Sequence, residues 1–135
     1  MPAKDHFHDT VKRALVKQGW TITGEQVRLT YGDRYFWIDI QAENSSSQRV
    51  ILVEVKELDD VDSPVEAFAN AIGKYPLYRM GLEYTAQRTP LYLAVTEASY
   101  AGILGATMGQ QAVSQFQILL LVFDPEQEEI IKWIP

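Results

Sequence analysis

Asp39, within Trp37-Ile38-Asp39-Ile40, and Glu54 and Lys56, within Val53-Glu54-Val55-Lys56, are charged groups set in the most strand-like stretches of the chain. Charge placed where burial is expected is costly unless it is paired or ligated, so these positions ask for a chemical reason. Glu54 and Lys56 are two apart and share one face of a strand, while Ile51, Val53 and Val55 occupy the other. If the Asp39 strand pairs antiparallel with the Glu54 strand across residues 42–49, two carboxylates and an ammonium enter one pocket. Carboxylates that repel each other become favourable neighbours once a divalent cation lies between them, and hard oxygen ligands suit Mg²⁺ or Mn²⁺. The expected ligands are Asp39, Glu54 and the Val55 carbonyl, with Lys56 placed to orient water or to stabilise charge on phosphorus. Asp39, Glu54 and Lys56 thus form a candidate catalytic set for phosphodiester hydrolysis. The competing reading is that alternate charges merely line a solvated strand face.

The elements that must position this set can be read from periodicity and punctuation. Phe7, Val11, Ala14 and Leu15 recur at helical spacing and Gly19 follows as a C-terminal stop, giving a helix at about residues 5–18. Short strands are expected at Trp20–Thr23 and Val27–Tyr31, with a Gly32-Asp33 turn leading into a strand at Tyr35–Gln41. Polar Glu43–Gln48 separates that strand from Val50–Lys56, whose two largely apolar faces mark a central strand. Ser63, Pro64 and Glu66 combine an N-cap, a first-turn proline and a capping-box glutamate, so a second helix starts there with Phe68, Ile72 and Tyr75 on one side. Pro76 is expected to kink or interrupt it. Leu91–Val95 reads as a strand, Ser99–Phe116 as one broken or two short helices, and Ile118–Phe123 with Glu129–Trp133 as a closing strand pair. The expected order is α-β-β-β-α-β-α-β-β in one domain over 1–135: an α/β (α+β) fold with a mixed sheet and helices packed on its faces.

Composition narrows the function. With 135 residues, 47% of them hydrophobic, the chain can bury a core without staples, and the absence of cysteine excludes disulfides, thiolate metal sites and a cysteine nucleophile. The charged amino terminus and the shortness of the longest apolar run, Ile118–Phe123, lead to the expectation of a soluble cytoplasmic protein with no membrane segment. A net charge of −6 argues against a general nucleic-acid coat. Residues 1–40 nevertheless hold six Lys or Arg against five acids, whereas residues 41–135 hold six against thirteen. DNA contacts, if made, are expected from Lys4, Lys12, Arg13, Lys17, Arg28 and Arg34; solvated helix charge is the plainer reading.

An acid, fourteen intervening residues, and Glu-Val-Lys after an apolar strand look like the PD-(D/E)XK nuclease motif, although Ile38 stands where that motif has proline. The strings MPAKDHFHDTVKRALVKQGWTIT, YGDRYFWIDIQAE, VEVK, GKYPLYRMGLE and VFDPEQEEIIKWI, which together span nearly the whole chain, resemble the XisH family of fdxN element excision controlling factors. That resemblance implies a restriction-endonuclease-like core and a role in excising a DNA element from a cyanobacterial chromosome during heterocyst development. It also implies a site-specific recombinase and the small factor XisI as partners. The family pattern has Gly-Gln-Tyr in the second helix, where this chain has Gly73-Lys74-Tyr75. Lys74 is then a supporting cation that either contacts phosphate or displaces the metal.

Two function classes remain: a metal-dependent DNA endonuclease, and a non-catalytic control factor that binds the recombinase or the second small factor. A DNA-positioning module is disfavoured by the net acidity. A homodimer is expected, as two-fold cleavage chemistry commonly uses one. His6 and His8, two apart on a helix, make a poor chelating pair, though His8 is kept as a supporting site residue beside a structural alternative. Asp5 and Asp9 are assigned to the helix start. Trp20, Trp37, Trp133, Tyr75 and Tyr78 are read as core before base-stacking groups. Glu57, Asp59, Asp60 and Asp62 are read as a solvated loop before a second metal site.

Overall fold

The sheet is laid down in chain order. In the computed structural model, which describes residues 5–85 and 87–135, six strands line up as β1 (Thr21–Tyr31), β2 (Arg34–Asn44), β3 (Arg49–Val55), β4 (Leu91–Thr96), β5 (Leu119–Asp124) and β6 (Glu129–Ile134). Lys4 lies outside the described residues. Strands β1, β2 and β3 form an antiparallel meander, β3, β4 and β5 run parallel, and β6 closes antiparallel on β5. The parallel steps need crossovers, and helices supply them: α2 (Pro64–Tyr84) between β3 and β4, then α3 (Glu97–Ala101) and α4 (Thr107–Gln115) between β4 and β5. The remaining helix, α1 (His8–Lys17), precedes the sheet. This is the expected mixed sheet with helices on its faces.

Two apolar layers hold it. Val11 and Leu15 of α1 pack with Trp20, Ile40, Ile51, Val53, Val55, Leu121 and Phe123, the strand face that sequence alternation assigned to Ile51, Val53 and Val55. On the other face Phe68, Ala71, Tyr75 and Leu82 of α2 pack with Leu52, Leu93, Leu120 and Val122. The central strand β4 is buried along its entire length, consistent with helices on both sides.

Local signals explain the boundaries. Gly19 has φ +95°, Trp20 N–H donates to the Leu15 carbonyl and Gly19 N–H to that of Val16, the paired bonds of a Schellman stop. Ser63 Oγ accepts from Glu66 N–H at 3.2 Å with Pro64 opening α2. The two short strands expected at Trp20–Thr23 and Val27–Tyr31 are one strand, β1, because a bulge after Ile22 absorbs the irregularity around Gly24 without ending the ladder. Glu43 and Asn44 belong to β2 rather than to a loop; the turn is shorter, and Asn44 Oδ1 accepts from Ser46 and Ser47 N–H.

Pro76 does not interrupt the second helix: α2 runs through it for 21 residues. An internal proline forgoes one backbone bond, but Tyr75 and Leu82 on either side are anchored in the core. Tyr75 is fixed further, its hydroxyl donating to the Leu91 carbonyl at 2.7 Å and accepting from Leu119 N–H at 3.1 Å, which ties α2 to β4 and β5. No helix among the described residues is long and apolar enough to cross a membrane.

The far end of the β1–β2 hairpin folds onto α2. Phe36 stacks on Tyr78 with centroids 4.5 Å apart, and Tyr31 meets Tyr84 at 5.0 Å. Gly81 permits this approach, since a Cβ there would stand 2.5 Å from Phe36 Cε1 and 2.8 Å from its Cζ. Gly81→Ala gains roughly 1 kcal/mol of helix propensity and meets an overpacking cost of about 1–3 kcal/mol. Urea denaturation should therefore show a net loss of stability; a midpoint at or above that of the unaltered chain would contradict this packing.

Candidate functional site

The β2–β3 ladder runs from Asn44 paired with Arg49 to Ile40 paired with Val53 and then stops. The next residues are Asp39 and Glu54, and at this fork their side chains replace the missing ladder bonds. Glu54 Oε1 accepts from Asp39 N–H at 2.9 Å, and Asp39 Oδ2 accepts from Val55 N–H at 2.8 Å. Each carboxylate is thus fastened to the backbone of the other strand. Ile38 belongs to the α2-side core and Ile40 to the α1-side core, so β2 also changes face at Asp39.

The reciprocal bonds leave Asp39 Oδ1 and Glu54 Oε2 without hydrogen bonds among the described residues. Val55 directs its N–H toward β2, and in a strand the carbonyl of the same residue lies on the same edge. The two carboxylates and this carbonyl therefore belong to residues that meet at the fork.

The fork opens into a cavity of about 490 Å³ lined by Asp39, Glu54, Val55, Lys56 and Lys74, and by Asp5 and several aromatic side chains. Lys56 extends the parallel pairing by one residue, its N–H donating to the Ala94 carbonyl at 3.1 Å, which holds it beside Glu54. Lys74 is exposed on α2, yet its charge acts on both carboxylates. All the residues of the expected catalytic and metal set are brought together, with Lys74 as the expected supporting cation.

Burial, and then the charge of Asp39, push the Glu54 carboxyl up to about 8; burial likewise raises Asp39 above the usual carboxylate range. Two desolvated acids that repel each other are stabilised by positive charge placed between them. The donor set of carboxylate and carbonyl oxygens fits a hard divalent ion.

His8 takes the structural alternative. It does not line the cavity; it is the buried first residue of α1, and its Nε2 lies 3.0 Å from Glu25 Oε1. Its charge nevertheless acts on Asp39. His8, Asp9 and Glu25 bring ligand-type atoms within 4.8 Å of one another, but Lys12 Nζ already stands 3.0 Å from Glu25 Oε2 and supplies the balancing charge.

Asp5 was assigned only to the helix start and does more. Its Oδ1 accepts from Phe7 N–H while its Oδ2 accepts from Glu57 N–H at 3.0 Å, which ties the chain just after Lys56 to the segment before α1. Local pattern could not find this contact, because it spans 52 residues. The acidic run is likewise only partly a solvated loop. Glu57 is buried, with its carboxyl raised chiefly by that burial, and Asp59 Oδ1 accepts from Ser99 Oγ at 2.7 Å and Thr96 Oγ1 at 3.1 Å. Asp60 and Asp62 are exposed as expected.

The amino-terminal cations are mostly committed elsewhere. Lys12 pairs with Glu25, Arg13 with Glu128 at 2.7 Å, and Lys17 donates to the Gln127 carbonyl. Arg28 lies over the Tyr35 ring at 4.2 Å from its centroid. Solvated and paired helix charge is therefore the better description of α1.

Comparison with known proteins gives a consistent picture. The family described as XisH protein matches over residues 1–131. The crystal structure of an XisH family protein from Nostoc punctiforme superposes with a TM-score of 0.89 at 33% identity, covering 97% of this chain and 100% of that one. The crystal structure of an fdxN element excision controlling factor protein from Anabaena variabilis gives the same TM-score and identity, covering 96% of this chain and 98% of that one. None of the curated proteins matches the chain.

The raised carboxyl has a consequence for stability. Below pH 4.5 Glu54 is protonated in the folded and the unfolded chain alike. Between 4.5 and about 8 the unfolded chain releases the proton while the folded one retains it, so metal-free protein loses stability as pH rises through that window. Glu54→Gln should flatten this dependence and raise the melting temperature at pH 8 by roughly 5 °C. Parallel pH–melting curves of the two proteins in EDTA would refute the assignment.

Proposed function

The chain belongs to the XisH family, and on that footing we propose that it acts on DNA during programmed element excision as a divalent-metal-dependent phosphodiester hydrolase. The observation that carries this reading is the fork itself: Asp39 and Glu54 crossed onto each other's strands, with Lys56 alongside in one open cleft. Asp39 Oδ1, Glu54 Oε2 and the Val55 carbonyl would hold Mg²⁺ or Mn²⁺. Bound there, the cation supplies Lewis acidity toward a phosphoryl oxygen and draws both buried acids into their ionised form.

The chain's own groups account for the remaining steps. The backbone bonds from Asp39 N–H and Val55 N–H fix the carboxylates before any ligand arrives, so little reorganisation is needed on binding. Lys56, held by the Ala94 carbonyl through its backbone, brings an ammonium to charge developing on the phosphate. Lys74, at the cleft wall, adds a second cation for a non-bridging oxygen. A site-specific recombinase and an XisI-like factor are the partners this role would require.

A second reading, a non-catalytic control factor, is favoured by one feature. Leu77, Met80 and Tyr84 are exposed and spaced along one side of α2, which suits a partner surface.

Calorimetric titration with Mn²⁺, joined to a plasmid-nicking assay on the same samples, separates the two. The hydrolase reading expects wild-type binding and nicking, loss of both in Asp39→Ala and Glu54→Ala, and loss of nicking by about a hundred-fold in Lys56→Ala with Mn²⁺ binding kept. Absence of Mn²⁺ binding in the folded wild type would overturn it and leave the control-factor reading.

A further inference from the structure

The cleft has an aromatic wall that phosphodiester chemistry alone does not require. Tyr35 and Trp37 lie on β2 just beyond the fork and both line the cavity that holds Asp39, Glu54 and Lys56. Their rings meet edge to face at 5.9 Å and 90°, and Tyr35 is 55% exposed. Arg28, facing Trp37 across the β1–β2 ladder, covers part of the Tyr35 ring.

Other aromatic groups are spoken for. Trp20 and Trp133 pack together on the α1 side, with Trp133 also against Tyr92. Phe36 and Tyr78 are stacked face to face, and Tyr75 is buried. Trp37 lines the candidate site as Tyr75 and Tyr78 do, but it belongs to neither core layer, whereas Trp20, Trp133, Tyr75 and Tyr78 each pack in one.

We propose that the cleft takes single-stranded DNA, with unpaired bases stacking on Tyr35 and Trp37 while the adjoining phosphate reaches Asp39, Glu54 and Lys56. This rests on the phosphodiester reading of the same site and adds its substrate class. Three observations favour a single strand over a duplex. The chain carries a net charge of −6, and Lys12 and Arg13 of α1 are paired internally, so counterion release by a basic surface is a poor source of duplex affinity. A cavity of about 490 Å³ has the size of a small-molecule pocket and admits a nucleotide, not the width of a double helix. Aromatic faces beside cations, here Arg28, Lys56 and Lys74, are the sequence-tolerant means of holding an unpaired strand.

The test is fluorescence anisotropy with a labelled oligo-dT strand and a duplex of equal length, measured in EDTA and again with Ca²⁺. The single strand should bind at least about ten-fold more tightly than the duplex, and Trp37→Ala and Tyr35→Ala should each weaken it by roughly ten-fold. Intrinsic tryptophan emission should be quenched on binding, and Trp37→Phe should abolish the quenching. Tyr35, being largely exposed, keeps the test valid if Trp37→Ala does not fold. Equal or tighter duplex binding, no DNA binding under either condition, or unchanged affinity in the Tyr35 variant would overturn the proposal. Wild-type Mn²⁺ calorimetry distinguishes the failures: a retained Mn²⁺ site with no strand preference defeats this inference alone, whereas loss of that site defeats the reading beneath it.

Discussion

The point on which the molecule turns is the place where β2 and β3 part. Strands normally separate because a turn or a proline ends their ladder; here two carboxylates take over the hydrogen bonds that the ladder would have made. The exchange has a physical cost, since both acids are desolvated and close together, and burial raises both carboxyls. It also has two structural results. The β1–β2 hairpin is released to fold onto α2 through Phe36 and Tyr78, and the space it vacates becomes the cleft. Fold and candidate chemistry therefore depend on the same two residues.

Much of this was legible locally. Strand alternation put Glu54 and Lys56 on one face against Ile51, Val53 and Val55, and the short polar turn implied the antiparallel pairing that carries Asp39 to Glu54. Caps at Gly19 and Ser63 were readable because they are written in adjacent residues. What stayed hidden depended on distant partners. Asp5 reaches the site by bonding to Glu57 N–H, and the buried carboxyl of Glu57 lies within a run that looks solvated from composition alone. Pro76 misled for the opposite reason: the local rule is sound, but Tyr75 and Leu82 anchor α2 on both sides of it. His8 was read as structural before supporting, and its partner Glu25 on β1 lies 17 residues away, beyond the reach of local pattern.

Charge is distributed with the same logic. The cleft holds three acids, Asp5, Asp39 and Glu54, against two cations, Lys56 and Lys74. Cations of α1 are consumed in fastening the helix to β1 and to the β5–β6 turn. Recognition of a polyanion by such a protein must come from a small set of cations in one place, together with contacts that do not depend on charge, and the exposed Tyr35 ring beside Trp37 offers such contacts.

On the proposed reading the fork is a cradle for a divalent cation. Anomalous diffraction from crystals of the protein soaked in Mn²⁺ decides whether it is one. An anomalous peak is expected at ligand distance from Asp39 Oδ1, Glu54 Oε2 and the Val55 carbonyl, with the bonds from Asp39 N–H and Val55 N–H intact. A fork with no peak at saturating Mn²⁺, or a peak only at His8 and Glu25, would contradict it.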